Sequence, residues 1–164
     1  DAETSAYSSC IIGELTSDYQ LFIREVWRGR LNFPELEAKV TEIATRYKYN
    51  LKQVVIENKS SGQALIQSLI QTAEPWLAEI IVPFQPRTGK ENRADSASLW
   101  CEKGMVCLPP PSGEVPWLFD FENELFSFPN SKYKDQVDAF DQLINYLQYM
   151  LAEGYRNITT GRNN

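Results

Sequence analysis

Val54-Val55-Ile56-Glu57-Asn58-Lys59-Ser60-Ser61-Gly62-Gln63-Ala64-Leu65-Ile66-Gln67 decides the fold, because it reads as a short apolar run, a polar turn and the opening of a helix. Val54-Val55-Ile56 is continuous and bounded by polar residues, the pattern of a buried central strand covered on both faces. After Ser60-Ser61-Gly62, Leu65, Ile66, Leu69 and Ile70 recur at helical spacing. A strand feeding directly into a helix is the repeating unit of α/β sheets. It delivers Glu57 to the carboxyl end of the strand, where such sheets hold their chemistry.

Upstream, residues 8–14 (SSCIIGE) and 19–27 (YQLFIREVW) read as two strands joined by the hairpin-length turn Leu15-Thr16-Ser17-Asp18. Pro34 then opens a helix with Leu36, Val40, Ile43, Ala44 and Tyr47 on one face. Downstream, Ile80-Ile81-Val82 predicts another buried strand, ended by Pro83. A basic loop over residues 87–90, a helix through Ala94, Ala97 and Cys101, and a short strand at 105–108 follow. Pro109-Pro110-Pro111-Ser112-Gly113 is a rigid loop, and residues 115–126 have helical apolar spacing. The clearest helix spans 135–151, striped by Val137, Phe140, Ile144, Leu147 and Leu151. A hairpin followed by alternating strands and helices predicts an α/β fold, a mixed central sheet flanked by helices. One domain over residues 1–153 and a polar, frayed tail over 154–164 are expected.

The 164 residues carry a net charge of −6, contain no histidine, and place three cysteines, Cys10, Cys101 and Cys107, outside any CxxC spacing. Zinc sites of Cys and His, and Ser-His-Asp or Cys-His nucleophiles, are thereby excluded. No P-loop and no internal repeat occur, so the chain has no ATPase site of its own. No apolar run is long enough to span a membrane and no signal peptide opens the chain, which points to a reducing, cytoplasmic setting. An acidic domain gives no global nucleic-acid signal, although cations bound to a carboxylate cluster invert the local field.

Any hydrolytic chemistry must then rest on carboxylates, hydroxyls or metal. Asp1 opens the chain, Glu57 ends a strand, and Asp135 and Asp138 share one face of the first turn of the last long helix. Carboxylates converging from different elements are what two Mg²⁺ or Mn²⁺ ions, about 3.5–4 Å apart, require. The plainer reading of Asp135 and Asp138 is a pair complementing the helix dipole.

Three separated segments carry a family resemblance. Trp27-Arg28-Gly29-Arg30-Leu31-Asn32-Phe33-Pro34-Glu35-Leu36 resembles the RGR-x-x-[FY]-P-E-L segment of terminase large subunits of tailed bacteriophages. The stretch from Val55 to Gln67 resembles their IE-[DN]-K-[AS]-SGQ-x-LIQ segment. Phe126-Ser127-Phe128-Pro129-Asn130, with Lys134-Asp135-Gln136-Val137-Asp138-Ala139, looks like their SFPN…DDQVDA ending. Lys90, Arg93, Gly104, Val106, Leu108 and Pro109 fit the K-x-x-R…G-x-V-x-LP stretch between them.

The resemblance runs from about Asp1 to Leu147. It implies a ribonuclease H-like fold and a two-metal endonuclease that cuts concatemeric double-stranded viral DNA during packaging, in the host cytoplasm during infection. By position, Asp1 matches the first-strand aspartate, Glu57 the second acidic ligand and Asp135 the third, with Asp138 a further ligand. Two Mg²⁺ or Mn²⁺ are the implied cofactors. The implied partners are double-stranded DNA, a terminase ATPase domain absent from this chain, the small terminase subunit and a portal protein, with no membrane.

Three departures bear on this reading. Lys134 stands where the family commonly has the first of two aspartates, and Asn58 follows Glu57 where many relatives have aspartate. No residues of the family's first strand precede Asp1, so either that strand lies outside the sequence or Asp1 has another role.

Lys59, Arg87, Lys90, Arg93, Lys132 and Lys134 are the candidate phosphate contacts, each equally readable as solvated surface. Ser60-Ser61-Gly62 reads as a phosphate-cradling nest or a plain helix cap. Two other functions compete: a Holliday-junction-resolvase-like nuclease on the same fold, and a catalytically weak docking module of a packaging motor.

Overall fold

The computed structural model describes residues 6–85 and 90–159, without the side chains of 90–93 and 155–159. The described residues divide into two compact units, and each has its own apolar core. Among the described residues the ladders form a three-stranded and a two-stranded sheet, one in each unit.

The first unit begins with α1 (Phe33–Arg46). Asn32 and Glu35 start it with a reciprocal capping box, the Glu35 N–H donating to Asn32 Oδ1 at 3.0 Å and the Asn32 N–H to Glu35 Oε2 at 2.9 Å. Pro34 sits in the first turn, where its missing N–H costs nothing. The expected face holds, with Ile43 and Ala44 buried and Leu36 and Val40 packed beside them. Strand β1 (Val54–Glu57) pairs in parallel with β2 (Ile81–Phe84), Val54 opposite Ile81 and Glu57 opposite Phe84. Val54, Val55 and Ile56 are half-buried rather than buried, because among the described residues β1 has one ladder partner. Pro83 lies inside β2, not after it, and its lack of an N–H suits the position because β2 too has a single ladder neighbour among the described residues. Helix α2 (Ser61–Thr72) covers the core with Leu65, Ile66 and Leu69. Ile70, expected on the same face, is 49% exposed because it falls on the far side of that stripe. A single turn, α3 (Pro75–Ala78), escaped the periodicity and buries Leu77.

The second unit holds the hairpin β3 (Ser8–Leu15) and β4 (Leu21–Gly29), antiparallel from Ser8 opposite Gly29 to Leu15 opposite Leu21. The register shifts between Ile12 and Gly13. A Cβ on Gly13 would lie 2.7 Å from Leu143 Cδ2, so glycine lets the strand and the last helix approach. The turn is closed by Thr16, whose N–H donates to the Gln20 carbonyl and whose hydroxyl accepts the Gln20 N–H. It lies one to two residues later than the sequence predicts, with Tyr19 at φ 64°. Strand β5 (Val106–Cys107) joins β4 in parallel, making this sheet mixed.

Helices α4 (Lys90–Glu102), α5 (Leu118–Ser127) and α6 (Asp135–Thr159) complete this unit. Val137, Phe140 and Ile144 of α6 are buried, and Leu147 and Leu151 pack beside them, as the stripe predicts. Phe140 meets Phe121 of α5 edge to face at 5.8 Å, a favoured aromatic geometry. Helix α6 continues through Gly154 to Thr159, beyond the point where fraying was expected. Among the described residues no helix is long and apolar enough to cross a membrane, and all three cysteines are free.

Candidate active site

Glu57 is the last residue of β1, half-buried, with its own carbonyl held in the turn that follows. That carbonyl accepts the Lys59 N–H at 2.9 Å, and the Asn58 N–H donates across to Phe84 O at 2.8 Å. Gly62 makes the turn possible, since a Cβ there would stand 2.0 Å from the Glu57 carbonyl oxygen. Ser60, the residue before α2, has φ 50° and its side chain makes no capping bond, so the plain serine cap is not what the turn builds. Such a backbone costs a non-glycine residue of order 1–3 kcal/mol and persists where its surroundings over-determine it. Lys59 is exposed at this strand end.

In the other unit Asp135 and Asp138 occupy the first turn of α6, which the Lys134 carbonyl closes by accepting the Asp138 N–H at 2.8 Å. Both are half-buried. Partial burial pushes the Asp135 carboxyl above the usual aspartate range. The nearby Glu124 and Asp138 charges add to that rise, while a hydrogen bond to its own backbone N–H and the Arg28 guanidinium oppose it. Lys132 and Lys134 flank the turn, exposed, with their ammonium groups 5.1 Å from the Tyr133 ring and 5.9 Å from the Phe128 ring.

Two acidic side chains on one turn offer hard oxygen donors, the donor type that hard divalent cations take. Among the described residues no three Cys, His, Asp or Glu side chains group closely enough to hold one. Asp1 and Arg87 lie outside the described residues, as do the side chains of Lys90 and Arg93, whose backbone starts α4. Of the expected set, then, the second unit brings together Asp135, Asp138, Lys132 and Lys134, and the first brings together Glu57 and Lys59. A cavity of about 270 Å³ in the second unit is lined by Ala97, Cys101, Phe128, Phe140 and Asp141 among others, not by Asp135 or Asp138.

Sequence reasoning passed over Glu124 and the role of Arg28. Glu124 is 5% exposed and accepts four hydrogen bonds, from the Gln136 and Val137 N–H groups, the Gln136 side-chain amide and Arg28. Its signal was there to find: Leu118, Phe121 and Glu124 recur every three residues, a carboxylate on a core-facing stripe.

The model of one family, described as the terminase RNaseH-like domain, matches residues 6–153. Searches of curated proteins and of solved structures found no match. The matched span covers nearly the whole chain, and the chain belongs to this family. Membership agrees with the mixed α/β content and suggests a nuclease role in phage DNA packaging. Nuclease domains of the RNaseH-like kind generally use divalent metals.

Proposed function

We propose, from this membership of the terminase RNaseH-like family, that the chain is a Mg²⁺- or Mn²⁺-dependent endonuclease that cuts concatemeric double-stranded viral DNA during packaging in the host cytoplasm. The observation that carries the reading is the half-buried pair Asp135 and Asp138, with Asp135 pushed up by burial and by neighbouring carboxylates. Crowded carboxylates are stable when a cation neutralises them, which is what a hydrolytic metal site provides.

Asp135 and Asp138 are the carboxylates proposed to hold such an ion, with Glu57 and Asp1 proposed as ligands from the resemblance alone; a bound ion would activate a water and stabilise charge on the phosphate. Glu57 supplies its carboxylate from a strand end fixed by the Gly62 turn. Asp135 and Asp138 supply theirs from adjacent positions on one helical face, so they approach the phosphate together. Lys59, Lys132 and Lys134, with Arg87, Lys90 and Arg93, orient the duplex through its backbone, a contact without sequence preference. A motor ATPase, a small terminase subunit and a portal protein are the partners that fit this role.

Plasmid nicking tests the reading. Purified protein is expected to cut double-stranded DNA of any sequence in Mn²⁺ or Mg²⁺ and to stop in EDTA. Robust cleavage in EDTA overturns the metal mechanism, and no cleavage in either metal leaves the chain a docking module of the motor.

A further inference from the structure

The first turn of α6 follows Lys134, a residue whose side chain offers no acceptor to the helix's first amides. Lys134 closes the turn through its carbonyl, but an ammonium has no lone pair to accept from the free N–H groups at the helix start. Those donors are normally satisfied by a serine, threonine, aspartate or asparagine just before the helix. Here the acceptor comes from a different helix. Glu124 Oε1 accepts the N–H groups of Gln136 at 2.7 Å and Val137 at 3.2 Å. Its Oε2 accepts Gln136 Nε2 and an Arg28 guanidinium N–H, each at 2.7 Å.

This carboxylate has four donors on two oxygens, which fills its lone-pair sites and leaves none directed at a metal. The Glu124 side chain is 4% exposed and that of Arg28 19%, so the ion pair is shielded from water. Buried, charge-assisted bonds of this kind are short and strongly directional. Arg28 is itself braced, its guanidinium 4.9 Å from the centre of the Tyr133 ring in the segment leading into α6. Sheet, α5 and the start of α6 are thus tied at one carboxylate.

We propose that Glu124 is a positioning residue for the cleavage site: by clamping the Gln136 and Val137 amides it holds the first turn of α6, and with it Asp135 and Asp138, in one arrangement. The inference rests on the reading of those aspartates as ligands. Helix ends fray by default, whereas a working constellation must be held to about 0.5 Å. Two aspartates on a fraying turn do not meet that tolerance; two on a turn anchored to the core do. Residues acting one contact behind metal ligands typically alter affinity or activity by about 10–100-fold.

The test compares Glu124→Gln, which keeps the size but not the charge, with Ile144→Ala, a change at a fully buried position of the same helix. Mn²⁺ binding is followed by calorimetry, nicking by kcat and KM, and the Gln136 and Val137 amides by hydrogen exchange. Glu124→Gln is expected to exchange those amides faster, bind Mn²⁺ more weakly and lose kcat, the last two by about 10–100-fold, with KM for DNA unchanged. Ile144→Ala, though less stable, is expected to keep Mn²⁺ affinity and kcat.

Wild-type affinity and kcat in Glu124→Gln overturn the positioning role, as does the same loss in Ile144→Ala. Should Glu124→Gln not fold, Arg28→Lys keeps the charge while giving up the directed guanidinium. It is expected to weaken Mn²⁺ binding and kcat several-fold, and wild-type values there overturn the proposal. Wild-type protein that neither binds Mn²⁺ nor cuts DNA sinks the nuclease reading and the positioning role together. Wild-type protein that does both, beside variants that match it, sinks the positioning role alone.

Discussion

The two units fix their candidate carboxylates by different means. In the unit of β1, the strand end carrying Glu57 is shaped largely by its neighbours in sequence: the Lys59 N–H two residues on, and Gly62, whose missing side chain leaves room for the Glu57 carbonyl. In the unit of α6, the turn carrying Asp135 and Asp138 depends on Glu124, 12 and 13 residues away from the amides it caps, and on Arg28, 96 residues from Glu124. A short-range arrangement is set by backbone sterics and tolerates little change of side-chain size. A long-range one is set by hydrogen bonds and tolerates changes of shape better than loss of an acceptor.

The sharpest break of this comparison is removal of the carboxylates themselves. Glu57→Ala and Asp135→Asn are each expected to abolish nicking. They should also reduce the Mn²⁺-dependent stabilisation read as a rise in melting temperature, a gain of about 2.7 kcal/mol in unfolding free energy when free metal exceeds its Kd a hundredfold. A carboxyl pushed up by folding favours the fold in acid, and that contribution is lost as pH rises through the raised value. At neutral pH in EDTA, Asp135→Asn is therefore expected to melt no lower than wild type. Variants that keep both the full Mn²⁺ shift and full nicking would make Asp135 an ordinary helix-start residue.

Gly62→Ala probes the short-range arrangement. Its Cβ must displace backbone, not a flexible side-chain tip, so the expected cost is about 1–3 kcal/mol by denaturant unfolding, with reduced nicking as Glu57 moves. An alanine variant with wild-type stability would show that the turn has room to relax.

Asn32→Ala, in the same unit but far in role, gives the smallest effect. It removes the local capping box of α1 and is expected to cost about 1 kcal/mol while leaving nicking unchanged. Set beside Glu124→Gln, it separates a cap that only stabilises from one that also positions.

What could be read from residue order follows the range of the interactions. The helix opened by Pro34, the strand-turn-helix around Glu57 and the stripe Val137, Phe140, Ile144 are short-range patterns, and each stands where the sequence puts it. Boundaries slipped where the deciding contact was elsewhere. The hairpin turn moved to Gln20 because Thr16 bonds both ways to it, and Pro83 stayed in its strand because β2 has a single ladder neighbour among the described residues.

The sequence by itself narrowed any hydrolytic chemistry, in the absence of histidine, to carboxylates, hydroxyls or metal, and placed Glu57 at a strand end and Asp135 and Asp138 on one helical face. Its separated motifs also carried the family, which a match over residues 6–153 bears out. The tertiary structure alone decided which acid is a donor-saturated clamp and which two stand half-buried on one turn. Glu124 and Asp135 are both carboxylates at the level of sequence. Only packing brought four hydrogen-bond donors to the first and left the second partly desolvated among like charges.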